Sequence, residues 1–189
     1  GNMRGGQFYT PTLVGALVAA STGVVAATVT ATGLLALPLM LQRGYDTGLA
    51  AGSIAAAGTL GQIIPPSIVL ILLGDVIGAA HQRAQLEQNI ASPTAISVGD
   101  LFAGAIVPGL VRVLLYLIYQ AVRSWLDPAA APSGVAVRPK LSVVISALAA
   151  PLFLVVAVLG SILAGVATPT EGAAVGALGA LMLAALKHD

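Results

Sequence analysis

Gly58-Thr59-Leu60-Gly61-Gln62-Ile63-Ile64-Pro65-Pro66-Ser67 lies deep inside Thr47 to Gly74, a run of 28 residues without a charge. Proline has no N–H, and its ring clashes with the preceding turn. Two in succession therefore leave several carbonyls without helix partners. In hydrocarbon each orphaned carbonyl is costly. Two outcomes satisfy them. A bound cation can take the oxygens as ligands, as unwound backbone does in broken-helix carriers. With no carboxylate nearby, a weakly charged ion such as Na⁺ suits these oxygens better than Ca²⁺. Alternatively, the stretch is a proline kink repaired by neighbouring helices and by Ser67. The residues alone leave both open.

Ahead of the prolines, Ala50-Ala51-Gly52-Ser53-Ile54-Ala55-Ala56-Ala57-Gly58 is almost entirely small. Small side chains let helix backbones approach closely in a membrane, so this stretch is expected to pack against its neighbour rather than touch a ligand. Asp46 is expected to cap the helix that follows it, and Asp75 to mark the end of the span.

Composition sets the class. The 189 residues are 58% hydrophobic and 8% charged, with a mean hydropathy of +0.98. A soluble domain carries roughly 25% charged residues, so a free cytosolic enzyme, a disordered tail and a coiled coil are excluded. A net charge of +1 gives no field for nucleic acid. The absence of cysteine removes disulfides, thiolate metal sites and a Cys nucleophile. No Ser/His/Asp set, HExxH, P-loop or GxGxxG occurs, and His81 and His188 stand alone. An enzyme is not expected; a membrane protein is. The chain opens Gly-Asn-Met-Arg and stops at Lys187-His188-Asp189 after an apolar stretch. It is read as part of a longer polytopic protein, without a signal peptide.

Other uncharged gaps run from Gly5 to Gln42, 38 residues, and from Leu141 to Thr170, 30 residues. A bilayer core of ~30 Å takes ~20 helical residues. The first gap is about two spans long with no charged loop. It fits either two full spans or a re-entrant hairpin with a polar tip at Ser21-Thr22-Gly23, followed by Thr28, Thr30, Thr32 and Gly33. Lys and Arg favour cytoplasmic loops, which places Arg123, Arg138 and Lys140 inside. The hairpin then puts six of the eight basic residues on that side and is favoured over two spans.

The expected segments are a re-entrant helical hairpin over 5–42, a broken helix over 47–74, a periplasmic loop or surface segment over 75–100, a helix over 101–126, a cytoplasmic linker over 127–140, and two helices within 141–189. Thr168-Pro169-Thr170-Glu171 reads as a capping box with Pro169 at the first helical position. Arg112, placed near the outer end of a span at about 106–126, is a functional candidate by default. It is expected to snorkel to the headgroups.

These residues carry a resemblance. Arg43-Gly44-Tyr45-Asp46, Gly52-Ser53-Ile54-Ala55-Ala56, Gly58 through Ile68, and Gly165-Val166-Ala167-Thr168-Pro169-Thr170-Glu171-Gly172-Ala173-Ala174 resemble the large membrane subunit, DctM type, of tripartite ATP-independent periplasmic (TRAP) transporters. Ser97-Val98-Gly99-Asp100-Leu101-Phe102 and the polar segment before it resemble the branch labelled mannitol or chloroaromatic transport. The resemblance implies an all-α, elevator-type transporter built from inverted repeats, of which this chain holds one and the start of the next. It implies Na⁺-coupled import of an organic acid, such as a C4-dicarboxylate, across the bacterial inner membrane. Its partners would be a small four-helix membrane subunit (DctQ type) and a periplasmic binding protein (DctP type), with no cofactor beyond the coupling ion. It also implies that the carbonyls of Gly61, Ile64 and Pro66 hold Na⁺ and that Ser21, Thr22 and Gly23 border the solute. Many members carry Gly-Ser-Ser-x-Ala-Asp where this chain has Gly23-Val24-Val25-Ala26-Ala27-Thr28, so Thr28 and Thr30 would offer the hydroxyls. The rival readings are a related carrier working without a binding protein and a structural subunit that only packs.

Overall fold

The structure, a computed structural model, describes residues 6–90, 92, 94–132 and 141–186; the side chains of 19–22, 141, 143, 145–147, 183, 184 and 186 lie outside that description. Seven α-helices and one short 3₁₀ turn account for the described chain, with no strand among those residues. In chain order they are α1 (Gly6–Thr22), α2 (Val25–Gln42), α3 (Thr47–Thr59), the 3₁₀ turn Leu60–Gln62, α4 (Ile68–Glu87), α5 (Val98–Leu126), α6 (Leu141–Leu163) and α7 (Pro169–Leu186).

α1 and α2 form a helical hairpin that turns at Gly23, whose φ of 61° suits a residue without Cβ. α3 lies against both arms. A Cβ at Gly15 would stand 2.9 Å from Ala57 Cβ, and one at Gly58 would collide with Val29. The small residues thus permit backbone approach on both sides of α3. At the foot of this unit Phe8, Met40, Tyr45, Ala50 and Ile54 are buried together. The Phe8 and Tyr45 rings meet edge to face at 4.9 Å. Asp46 caps α3 by accepting from Leu49 N–H at 2.8 Å.

Three segments differ from the sequence expectation. Residues 75–87 are not loop: α4 continues through Asp75 to Glu87 without interruption. The polar sequence His81-Gln82-Arg83-Ala84-Gln85-Leu86-Glu87 is rich in good helix formers, so loss of apolar character there marks a change of environment, not of conformation. Gln85 then closes the corner, accepting from Thr94 N–H at 2.8 Å and donating to the Thr94 carbonyl at 3.1 Å. Second, α5 begins at Val98, where Ser97 and Asp100 form a capping box. Third, residues 127–132 are not a free linker. Asp46 N–H donates to the Ala130 carbonyl at 3.0 Å, and Ala131 is buried against the Phe8–Tyr45 cluster. Residues 133–140 of that expected linker lie outside the described residues.

α6 and α7 pair as a second hairpin through a turn at Gly165, with φ 71°. Phe102, Val158 and Ile162 are buried where α5 meets α6. Much apolar surface faces outward: Leu34, Leu35, Val107, Leu114, Trp125 and Val166 are all exposed. α2 and α5 are each long and apolar enough to cross a bilayer. An all-helical body with an oily exterior is the expected form of a protein solvated by lipid.

Candidate functional site

The helix that α3 begins breaks where the sequence says it must. After the 3₁₀ turn, Ile63 and Ile64 both donate to the Leu60 carbonyl, at 3.0 and 2.9 Å. Pro65 and Pro66, joined by a cis peptide, donate nothing. Ser67 then restarts the helix: its hydroxyl donates to the Gln62 carbonyl at 2.7 Å and accepts from Leu70 N–H at 3.4 Å. One carbonyl of the break is therefore repaired by Ser67. Those of Gly61, Ile64 and Pro66 accept no hydrogen bond from the described residues.

The hairpin tip comes to this same place. A Cβ on Gly23 would sit 3.1 Å from the Pro66 carbonyl oxygen and 3.5 Å from the Ile68 nitrogen. The turn between α1 and α2 thus seats its backbone directly on the break, although 43 residues separate Gly23 from Pro66. Ser21 and Thr22 end α1 at this tip, but their side chains lie outside the described residues. Thr28 is buried, and its hydroxyl donates to the Val24 carbonyl at 3.1 Å. Thr30 is exposed. Two residues are ~200° of helix turn, so Thr28 and Thr30 present opposite faces and do not share one wall.

The chemistry available at the break is all oxygen and nearly uncharged. Among the described residues no group of three or more His, Cys, Asp or Glu could hold a metal. Main-chain carbonyls without carboxylates fit a hard monovalent cation better than a divalent or transition metal.

Arg112 is the residue whose setting differs most from expectation. With α5 starting at Val98, it is the fifteenth of 29 residues and not near an end. Its side chain turns inward: Nε donates to the Tyr116 hydroxyl at 2.8 Å, Nη2 to Thr59 Oγ1 at 3.5 Å, and the guanidinium stands 5.5 Å from the Tyr116 ring centre. Thr59 is the last residue of α3 before the break. One turn earlier on α5, Gly109 packs against Ile63 and Ile64. The available signal was Ser97-Val98-Gly99-Asp100, a capping pattern that moves the helix start outward and Arg112 to the middle.

A separate cavity of about 230 Å³ opens between α1, α3 and α5, lined mainly by Phe8, Leu49, Ser53, Tyr116, Gln120 and Arg123. Gln120 donates to Thr12 Oγ1 at 2.6 Å, tying α5 to α1. Away from the break, Thr168 N–H and hydroxyl donate to Glu171 Oε2 at 2.8 and 2.9 Å, while Glu171 N–H donates to Thr168 Oγ1 at 3.3 Å. Pro169 opens α7. These three residues are occupied with ending one helix and starting another.

An oily, all-helical body with two helices long and apolar enough to cross a bilayer is consistent with a membrane protein of the permease class. The chain belongs to the family described as the tripartite ATP-independent periplasmic transporter, DctM component, whose model matches residues 1–189. It is 36% identical over 178 residues to the C4-dicarboxylate TRAP transporter large permease protein DctM of Pseudomonas aeruginosa, covering 94% of this chain and 38% of that protein. It is 34% identical over 184 residues to the protein of the same name from Vibrio cholerae, covering 97% and 37%. To the isethionate TRAP transporter permease protein DctMQ of Oleidesulfovibrio alaskensis it is 34% identical over 173 residues, covering 90% and 24%. The chain thus spans about two-fifths of the length of the DctM relatives it matches. No solved structure matches it. Its relatives are permeases, so the family is one of transport and not of catalysis.

Proposed function

We propose that this chain forms the first ion site, and one side of the solute path, of a Na⁺-coupled importer of organic anions in the bacterial inner membrane. Gly61, Ile64 and Pro66 offer main-chain carbonyls to Na⁺. The hairpin turning at Gly23 is re-entrant and acts as the gate over them, in an elevator-type transporter whose second repeat begins at α6. The observation that carries this reading is the seating of Gly23 on the Pro66 carbonyl, beside oxygens that accept no hydrogen bond from the described residues. The solute is an organic acid: relatives are named for C4-dicarboxylate, isethionate and 2,3-diketo-L-gulonate. A small membrane subunit and a periplasmic binding protein complete the transporter, as the family description and the DctMQ name suggest.

Uptake into proteoliposomes holding the full-length permease and its partner proteins tests the coupling. Replacing Na⁺ by choline should abolish uptake, and unchanged uptake would remove the ion from the mechanism. Converting Pro65 and Pro66 together to Ala returns two N–H donors and lets the helix continue. The concentration of Na⁺ for half-maximal uptake should then rise roughly tenfold or more, the loss of about one charge-assisted contact. A specific observation favours the packing-subunit reading: Ser67 donates to Gln62, as a repaired dry kink requires. On that reading the double substitution changes assembly and leaves ion dependence alone.

A further inference from the structure

Arg112 is a cation placed where a membrane protein can least tolerate one unpaired. It stands midway along a 29-residue apolar helix and is half-buried. Its contacts are two neutral hydroxyls, which use two of the five donors of a guanidinium. No carboxylate pairs with it among the described residues. Three carboxylates are engaged elsewhere: Asp46 caps Leu49, Asp100 closes its box with Ser97, and Asp127 accepts from Ala130. Arg112 also stands beside the break. Thr59, which it touches, precedes Gly61 by two residues, at most about 7.6 Å of chain.

A fixed positive charge so close to a cation site opposes binding of that cation alone, and it attracts an anion. We propose that Arg112 is the charge-balancing residue of the transport site. It weakens Na⁺ bound by itself and pairs with the carboxylate or sulfonate of the solute, so that the two bind well only together. The proposal rests on the sodium-coupled reading above. The planar fork of the guanidinium suits both anionic groups. Thr59 and Tyr116 hold the side chain along its inner edge, leaving its other donors for the solute.

The rival role is structural: a cation at the C-terminal end of α3 would also stabilise that helix dipole. The test separates the two. Full-length permease in its complex is purified as wild type, Arg112→Gln and Arg112→Lys, and Na⁺ is titrated against choline with thermal unfolding as the readout. Arg112→Gln should bind Na⁺ three- to tenfold more tightly than wild type, and Arg112→Lys should stay close to wild type. The transport probe is whatever solute elutes from the denatured binding partner, identified by mass spectrometry. Its kcat/KM should fall at least tenfold in Arg112→Gln and recover in part in Arg112→Lys. An Arg112→Gln protein that melts lower, with an unchanged Na⁺ midpoint, has lost a helix cap and overturns the proposal; so does a solute without an anionic group. A wild type whose melting ignores Na⁺ sinks the sodium reading itself, and this inference with it. If Arg112→Gln fails to assemble, Arg112→Lys alone decides. A retained charge must then keep the Na⁺ midpoint near wild type and preserve part of the uptake, and an altered midpoint overturns the proposal.

Discussion

Ser67 performs two tasks with one hydroxyl, donating to the last carbonyl of the 3₁₀ turn and accepting from the first turn of α4. Ser67→Ala removes both, and the half-buried Gln62 carbonyl loses its donor. A loss of about 1–2 kcal/mol is expected, read as a lower melting temperature of the detergent-solubilised permease. Gly23 is constrained twice, by its positive φ and by the Pro66 oxygen. Gly23→Ala should cost ~1–2 kcal/mol in backbone strain and lift the tip off the break, measurable as reduced uptake at unchanged expression. The break was legible because proline's missing N–H is a property of the residue itself. The meeting of Gly23 with Pro66 was not, since no local pattern encodes a contact across 43 residues. The inward turn of Arg112 was hidden by a misplaced helix start. Thr28 and Thr30 were grouped as neighbours in sequence, and helical geometry sets them apart.

At the scale of elements, charge served well as punctuation for apolar spans but poorly for helix ends. The uncharged gaps coincide with α1 and α2, with α3 through the start of α4, and with α6 up to the start of α7. Asp75 and Arg83 do not stop α4, because a helix leaving the apolar layer needs only residues of good propensity to continue. What does stop it is a corner held by Gln85 and Thr94. Gln85→Ala should release that corner, and hydrogen exchange of the amides over 85–97 should speed up while α5 beyond Phe102 stays protected. At the other hairpin, Thr168→Ala leaves the first turn of α7 uncapped and should lower stability by ~1 kcal/mol, without changing Na⁺ dependence.

For the molecule as a whole, composition announced a membrane body, while the side of the membrane facing each turn came only from the distribution of basic residues. These 189 residues hold no cysteine, so single cysteines placed in them report cleanly once any cysteine elsewhere in the full-length permease is replaced. Gly44→Cys should react with an impermeant maleimide only from the cytoplasmic side, and Asn89→Cys only from the periplasmic side; the reverse pattern would invert the topology. The tight seams around α3 bear on motion. Between Gly58 and Val29, as between Gly15 and Ala57, there is no room even for a methyl group. A longitudinal slip of α3 by one residue would drive larger atoms into both gaps at once. The hairpin and the interrupted rod are therefore keyed together like a tenon in its mortise, and under the proposed transport reading a stroke shifts them as a single block.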